Sequence, residues 1–347
     1  MNRNRTTIGR LAGARRSSIL LIALWSIFLL SVFAVILGTG VRQNIVLVRW
    51  LDERCKGRLI AEAGIRRACI EIQRHTKDQF HTLSQAWANN PAEFKDVSVG
   101  EGSFSVTYTR RRPDTAQEEQ YYGCVDEESK VNVNKASAAV LTRLFAALGL
   151  DDVPAQDLAA AIVDWRDADS QLSSTSGGAE DSYYRMLSPG YEAKDADFEI
   201  PEELLLVKGM DEKLFEEVRK YITIYGTGKV NINTAPKPVL VALGSSEVMA
   251  DRIIAYRNGK DATAGSSDDN IFENPVTCAE VLATYYNTSD SDPEYIKFKT
   301  AADQGGIAVK STHFSITSIA GFGRRTDRVV TTCVVDLAGR ILYWKES

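Results

Sequence analysis

The hydrophobic and polar positions divide the chain into segments of clearly different kinds. Residues 18–40 are an uninterrupted apolar stretch without a charged side chain. Over residues 45–72, apolar side chains recur at steps of three and four with Arg, Lys and Glu between them, which is typical of an amphipathic helix. Gly57 and Gly64 weaken this pattern without interrupting it. The sequence therefore predicts one long helix, over residues 18–75.

The first part of this helix is predicted to cross a membrane, since about 20 apolar residues span the hydrocarbon core. The segment before it has no acidic side chain and carries Arg3, Arg5, Arg10, Arg15 and Arg16. The positive-inside rule places this leader in the cytoplasm and the rest of the chain across the membrane. A secretory signal would have a shorter apolar region before its cleavage site. We therefore expect a retained single-pass anchor.

Beyond the helix, the pattern predicts strands at two places with helices between them. Alternation over residues 103–112 predicts a strand that pairs with residues 119–129 as a hairpin. Three further strands are predicted near the C-terminus, at 313–322, 328–337 and 340–345. Between about residues 132 and 310, several segments have an apolar helical face and end in Gly. The sequence thus predicts a helical block inserted into a sheet domain.

A near repeat lies within the helical block. Residues 130–149 and 229–244 both begin KVNxN and continue into a helix that ends LG. Two capped helix starts explain this likeness. A helix-hairpin-helix module that binds nucleic acid looks similar, but it needs a Gly-x-Gly turn that is missing here. The net charge of −5 also argues against nucleic acid.

The residues with catalytic potential form no recognisable constellation. The chain has three histidines and none of the nucleophile, phosphate-binding or metalloprotease motifs. Its five cysteines include no CxxC pair, so a zinc site is not expected. Buried thiols are favoured over one bridge among Cys124, Cys278 and Cys333. We predict that the chain is not an enzyme and has no small-molecule substrate.

An acidic cluster is the most informative polar feature. Asp164, Asp167 and Asp169 lie at the end of a predicted helix, and Glu180 and Asp181 return after a Ser/Gly loop. Five carboxylates in one place would repel each other unless a hard cation joined them, and Ca²⁺ binds six to eight oxygens. The alternative is that these acids are simply hydrated. We predict a calcium site and leave that alternative open.

Taken together, the chain resembles the minor pseudopilin GspK family of type II secretion systems. The resemblance rests on KVNVN near residue 130, AIVDWRDADS with GGAEDSYY at 161–184, EELLLVKGM at 202–210 and YGTGKVNINTAP at 225–236. It implies an α+β fold in which a pilin-like long N-terminal transmembrane helix packs on an antiparallel sheet. It also implies a large inserted all-α domain that is SAM-like or helix-hairpin-helix-like.

The resemblance assigns each part of the chain to a domain. It implies a basic leader at 1–17, a transmembrane helix at 18–40 and an extracytoplasmic helix at 41–80. The first pilin-like strands follow at 81–130, the inserted α-domain at 131–310 and the last strands of the sheet at 311–347.

The resemblance also implies a role and partners. Family members lie at the tip of the pseudopilus, where they initiate or cap its assembly and assist protein secretion across the outer membrane. The implied partners are the minor pseudopilins I, J and H. The protein would be held in the inner membrane, with a cytoplasmic N-terminus and a periplasmic C-terminal domain. Calcium is associated with the family's α-domain.

Processing by prepilin peptidase is implied as well. The cut falls between Ser17 and Ser18, where the family has Gly at the last leader position; Gly13 is an alternative. Ile22, the fifth residue after this cut, stands where ordinary pilins carry Glu, and the lack of that acid fits a subunit with nothing above it. The alternative functions are a membrane-anchored nucleic-acid receptor of the ComEA type and an anchored extracytoplasmic enzyme.

Overall fold

The computed structural model describes residues 13–111, 118–289, 292–303, 306–322 and 328–347. Residues 1–12 of the predicted leader lie outside this range. The chain divides into two compact units, Met1–Lys56 and Gly57–Ser347. The domain boundaries inferred from the resemblance stay predictions.

The α-helices of the described chain vary greatly in length. They are α1 (Gly13–Arg74), α2 (Pro91–Phe94), α3 (Ala138–Ala147), α4 (Asp152–Arg166), α5 (Asp181–Tyr184), α6 (Glu212–Val218), α7 (Lys237–Ala242), α8 (Glu247–Arg257), α9 (Cys278–Tyr285) and α10 (Pro293–Asp303). Two 3₁₀ helices cover Glu127–Ser129 and Pro201–Leu206.

Most of the strands are short. They are β1 (Val97–Val99), β2 (Gly102–Val106), β3 (Tyr108–Arg111), β4 (Glu118–Tyr121), β5 (Val125–Asp126), β6 (Val131–Asn132), β7 (Ile222–Thr223), β8 (Val230–Asn231), β9 (Ile307–Ala308), β10 (His313–Phe322), β11 (Val329–Asp336) and β12 (Ile341–Glu346).

Helix α1 confirms the prediction of one long helix, since it continues to Arg74 without a break. It is also the helix in the described chain that is long and apolar enough to cross a membrane. In the first unit its large apolar side chains are exposed, as at Ile22 with 64% exposure and Phe28 with 58%. An exposed apolar helix of this length requires lipid or other apolar helices around it.

In the second unit, α1 packs on an antiparallel sheet with strand order β1-β2-β10-β11-β12, and β5 also pairs with β10. Small residues bring the helix close to the strands at Gly57, Ala61, Gly64 and Ala68. A Cβ at Gly64 would lie 2.8 Å from Phe104 Cδ2, and one at Gly57 would lie 2.7 Å from Val329 Cγ2. The two glycines that weaken the helical pattern are therefore contact points with the sheet.

The core between helix and sheet is apolar throughout. Ile65 and Ile72 of α1 are buried there with Phe104, Phe314 and Ile316 of the strands. The predicted α+β fold class is thus confirmed: a long N-terminal helix, an antiparallel sheet and a block of helices between the strands.

The first predicted strand differs in detail from the prediction. Up to residue 111, the last described residue of this segment, the chain forms two strands, because it changes partner at Thr107. Up to Val106 it pairs with β10, and from Tyr108 it pairs with Tyr121 of β4. The predicted hairpin with residues 119–129 is present as β3 and β4. Residues 125 and 126 of that predicted strand pair instead with β10.

The helical block has a core of its own and an internal duplication. The pair β6 and β7 is parallel, as is the pair β8 and β9, and each first strand belongs to one KVNxN segment. Asn134 bonds to the backbone N–H and C=O of Phe198, at 2.8 and 3.0 Å. Asn233 does the same with Phe272, at 2.9 Å for both bonds. The near repeat therefore reflects two copies of one hydrogen-bonding unit.

An arginine closes each copy in the same way. Arg166 donates to the carbonyl oxygens of Val133 and Ala136. Arg257 donates to those of Ile232 and Ala235. By these contacts, Arg166 at the end of α4 corresponds to Arg257 at the end of α8.

Candidate metal centre

Helix α4 carries the first acid of the predicted cluster to the centre of the loop that follows it. Asp164 lies in the last turn of α4 and has no exposed surface. Its Oδ1 accepts the N–H of Ser173 and its Oδ2 accepts the N–H of Ala179, both at 2.8 Å. Both oxygens of Asp164 are thus bonded to the loop, because a buried carboxylate is stable only with such donors.

Three of the five predicted acids converge. The closest carboxylate oxygens of Asp167, Asp169 and Glu180 all lie within 4.8 Å of one another. Asp167 follows α4 directly, since its N–H donates to Val163 O at 3.0 Å and ends the helix. Glu180 immediately precedes α5 and is only 5% exposed. The loop therefore folds back to bring Glu180 to the end of α4.

The oxygens in this group are suited to a cation. Asp167 Oδ1 and Glu180 Oε1 are buried and accept no hydrogen bond from the described residues. Burial and the neighbouring carboxylates of Asp164 and Asp167 raise the pKa of Glu180 to about 7. Burial and the charges of Asp169 and Asp164 likewise raise the pKa of Asp167. Buried carboxylate oxygens without donors are the ligands that Ca²⁺ prefers, so the residues present fit this ion.

The fifth predicted acid has another role in the structure. Asp181 Oδ1 accepts the N–H of Ala193 at 2.9 Å, and Asp181 Oδ2 pairs with Arg185 Nη2 at 2.8 Å. Of the five predicted residues, the structure thus brings three together. It bonds Asp164 and Asp181 to the surrounding backbone.

The second copy of the duplicated unit provides an internal comparison. When Arg257 is matched with Arg166, Ala255 stands at the position of Asp164, Asn258 at that of Asp167 and Lys260 at that of Asp169. The backbone contacts of the copy are preserved without any of these acids. The carboxylates are therefore not needed to form the unit, which favours a separate role for them.

Three buried acids elsewhere escaped the sequence analysis. Asp126, Glu127 and Glu128 are each at most 3% exposed, although the sequence pattern predicts only a hairpin strand for residues 119–129. Asp126 Oδ2 accepts bonds from Ser311 Oγ at 2.7 Å and Thr234 Oγ1 at 2.5 Å. These partners are far away in sequence, so no local pattern could have indicated the burial.

The predicted processing and assembly residues lie on α1. Ser17 and Ser18 are within its helical range, and Ile22 is exposed in the apolar stretch. Among the described residues, Cys124, Cys278 and Cys333 are buried free thiols.

Known proteins resemble this chain in sequence. Residues 114–227 match the family model described as type II secretion system (T2SS), protein K. A type II secretion system protein K from Pseudomonas aeruginosa is 30% identical over 54% of this chain and 53% of its own length. One from Klebsiella pneumoniae is 29% identical over 72% of this chain and 71% of its own.

The fold agrees with these matches. A crystal structure of the GspK-GspI-GspJ complex from enterotoxigenic Escherichia coli has a chain that superposes with a TM-score of 0.64 at 15% identity. The alignment covers 86% of this chain and 99% of that one. The chain is thus similar to type II secretion system protein K, in sequence and in fold.

These matches confirm the resemblance to the type II secretion system protein K family that was found in the sequence. The alignment spans about half the length of the Pseudomonas relative. The cation site, the cleavage point and the absence of catalysis stay predictions.

Proposed function

We propose that this chain is a minor pseudopilin at the tip of the type II secretion pseudopilus. There it initiates and caps assembly and assists protein secretion across the outer membrane. The observation that carries this proposal is α1, a continuous helix whose first part exposes apolar side chains and whose last part packs on a sheet. Such a helix is suited first to the bilayer and then to a bundle of similar helices.

The tip position is supported by the side chain at Ile22 and by the helical block. An apolar residue at position 22 offers no carboxylate to the N-terminal amine of a neighbouring subunit. In a medium of low dielectric constant an unpaired charge is costly, so a subunit without this acid suits the end of the assembly. The large block of helices between β5 and β10 would obstruct a subunit placed above it.

The proposed partners are the minor pseudopilins I and J, with H as a further neighbour. This proposal is supported by the structural likeness to a chain of the GspK-GspI-GspJ complex. Prepilin peptidase is the proposed processing enzyme, with its cut between Ser17 and Ser18. The apolar helix and the basic leader support an inner-membrane position with the N-terminus in the cytoplasm and the C-terminal domain in the periplasm.

Calcium is the proposed cofactor of the helical block. Asp167, Asp169 and Glu180 would hold the ion through the oxygens that converge there. When bound, the ion would supply positive charge that offsets the repulsion among these carboxylates. The chain's own contribution is to exclude water from Glu180 and to keep the end of α4 next to the start of α5.

Processing tests the proposed function most directly. The full-length chain should be expressed with and without a prepilin peptidase and extracted from membranes, and its intact mass should be measured by mass spectrometry. We expect residues 1–17 to be lost only when the peptidase is present. An unprocessed mass in both cases would contradict processing at Ser17.

The tip position has its own test. The variant Ile22→Glu should enter internal positions of the pseudopilus or assemble wrongly, because the new carboxylate can pair with a neighbouring N-terminal amine. Ile22→Leu is the matched control, and subunit composition of purified pseudopili is the measurement. A composition unchanged by Ile22→Glu would count against the proposed position.

A further inference from the structure

We propose that Asp164 is a positioning residue that holds the loop of residues 170–179 in its cation-ready form before any cation binds. This inference rests on the proposed calcium site and deepens it. It separates Asp164 from the acids that would contact the ion: Asp167, Asp169 and Glu180.

The first argument is the use of both carboxylate oxygens. Each oxygen of Asp164 accepts a backbone N–H, one from Ser173 and one from Ala179. These two residues lie near the beginning and the end of the loop. One buried side chain therefore fixes both ends of the segment, and Glu180 directly follows the second of them.

The second argument is that the hydrogen bonds of Asp164 matter more for the position of Glu180 than for the other acids of the cluster. Asp167 and Asp169 follow α4 immediately, and Asp169 Oδ1 is bonded to the N–H of Gln171 at 2.8 Å. Glu180 reaches the cluster only if the whole loop folds back. Ordering a loop loses conformational entropy at every residue, so a contact that fixes the loop in advance strengthens later binding.

The third argument is the close fit of the loop around Asp164. Gly178 lies against Asp164 Oδ2, and an added Cβ would overlap with that oxygen and lie 2.7 Å from Ser174 O. The Gly178 N–H donates to the same Ser174 carbonyl at 3.0 Å. On the other side, Lys208 Nζ donates to the carbonyl oxygens of Gly177 and Gly178 at 3.3 Å. The loop thus has room for glycine only at the position that contacts Asp164.

The fourth argument comes from the second copy of the unit. Ala255 replaces Asp164 there, and the segment between Arg257 and Phe272 is shorter than that between Arg166 and Phe198. In that copy the shorter loop is held by acids of its own, since Asp268 Oδ2 accepts the N–H groups of Lys260 and Asp261. This agrees with a carboxylate whose purpose is to hold the loop rather than the helix.

The test separates positioning from ligation by measuring the loop in the absence of a cation. Backbone hydrogen exchange of peptides covering residues 171–180 is followed by mass spectrometry on the full-length chain in detergent, in EDTA. Calcium chloride is then titrated into each variant. The variants are Asp164→Asn, Asp167→Asn and Gly178→Ala, and Asp152→Asn, an exposed acid on the same helix, is the control.

We expect Asp164→Asn to speed exchange of this loop in EDTA by about tenfold or more, because the new amide meets an N–H donor where an oxygen was. Calcium affinity should fall by roughly 10- to 100-fold but still saturate, as for other residues that orient ligands. Gly178→Ala should do the same without removing a charge. Asp167→Asn should lose calcium binding and keep slow exchange in EDTA.

Two results would overturn the inference. One is wild-type exchange in EDTA for Asp164→Asn. The other is loss of saturable calcium binding in that variant while its loop stays protected, which would make Asp164 a ligand. If the wild type does not bind calcium, the cation proposal fails by itself. Exchange in EDTA would still decide whether Asp164 fixes the loop.

Discussion

Replacing two of the converging acids should make the difference in melting temperature between variant and wild type change sign with calcium. In Asp167→Ala with Asp169→Ala, the calcium-dependent rise in melting temperature should disappear. Two charged carboxylate oxygens within 4.8 Å of each other repel by about 3.5 kcal/mol or more at an effective dielectric constant near 20. Without a cation, the wild type must bear this repulsion or keep a proton on Glu180, whose pKa is raised to about 7. We therefore expect the variant to melt at or above the wild-type temperature in EDTA.

With calcium the order should invert. An ion present at about 100 times its dissociation constant stabilises the folded state by about 2.7 kcal/mol. For a unit of this size, that corresponds to a rise of roughly 5–10 °C in the wild type, and to none in the double variant. The wild type should therefore melt above the double variant in calcium, and at or below it in EDTA.

Differential scanning calorimetry of the full-length chain in detergent at pH 8 measures both quantities. This pH lies above the pKa of about 7 of Glu180, so protons do not compete strongly with calcium. Asp151→Ala with Asp152→Ala removes the same charge at the opposite end of α4 and is the control. An equal calcium-dependent rise in both double variants would refute the assignment of the site.

Three further predictions concern other parts of the fold. Gly64→Ala should destabilise the second unit by about 1–3 kcal/mol, because the new Cβ would lie 2.8 Å from Phe104. Gly321→Ala is the control, since its Cβ would make only ordinary contacts, at 3.6 Å. Thermal unfolding of the two variants is compared with that of the wild type. Burial raises the pKa of Asp126 to about 7, above its unfolded value of 3.8, so its stabilising contribution is complete below pH 4 and is lost as pH rises through 7. The unfolding free energy should fall over this range, and a pH series on Asp126→Asn should lack that part of the slope. Asn258→Asp and Lys260→Asp, added to the double variant that lacks Asp167 and Asp169, should not restore a calcium-dependent rise in melting temperature. The acids that return in the second copy, Asp268 and Asp269, already accept backbone N–H groups. A restored rise would contradict this.

The elements that follow from local pattern were well predicted from the sequence. The long helix ends one residue before the predicted position, and the predicted strand at 313–322 has the same bounds as β10. Both depend on side chains that alternate or recur within a short window, so neighbouring residues contain the information. The resemblance to the protein K family was also recognisable, because the motifs that carry it are short and occur in order along the chain.

The features that were missed depend on distant contacts. Asp126 and Glu128 are buried by Ser311, Thr312 and Thr234, which lie more than a hundred residues further on. Three successive acids ordinarily indicate a surface, and only the return of the chain after the helical block covers them. In the same way, Gly57 and Gly64 looked like weak points of a helix until the sheet that contacts them was known.

The proposed cation cluster could be predicted from the sequence only in part. Its residue types and their grouping were visible in the sequence, but composition gave five equivalent acids where the structure gives unequal ones. The difference is in the hydrogen bonds: Asp164 and Asp181 have backbone N–H donors, whereas Asp167 and Glu180 each keep a buried oxygen without one. Backbone donors are set by the path of the loop, which the sequence does not specify residue by residue. We therefore propose that a carboxylate with donors on both oxygens supports the loop, whereas one that keeps a buried oxygen without a donor is available to a cation.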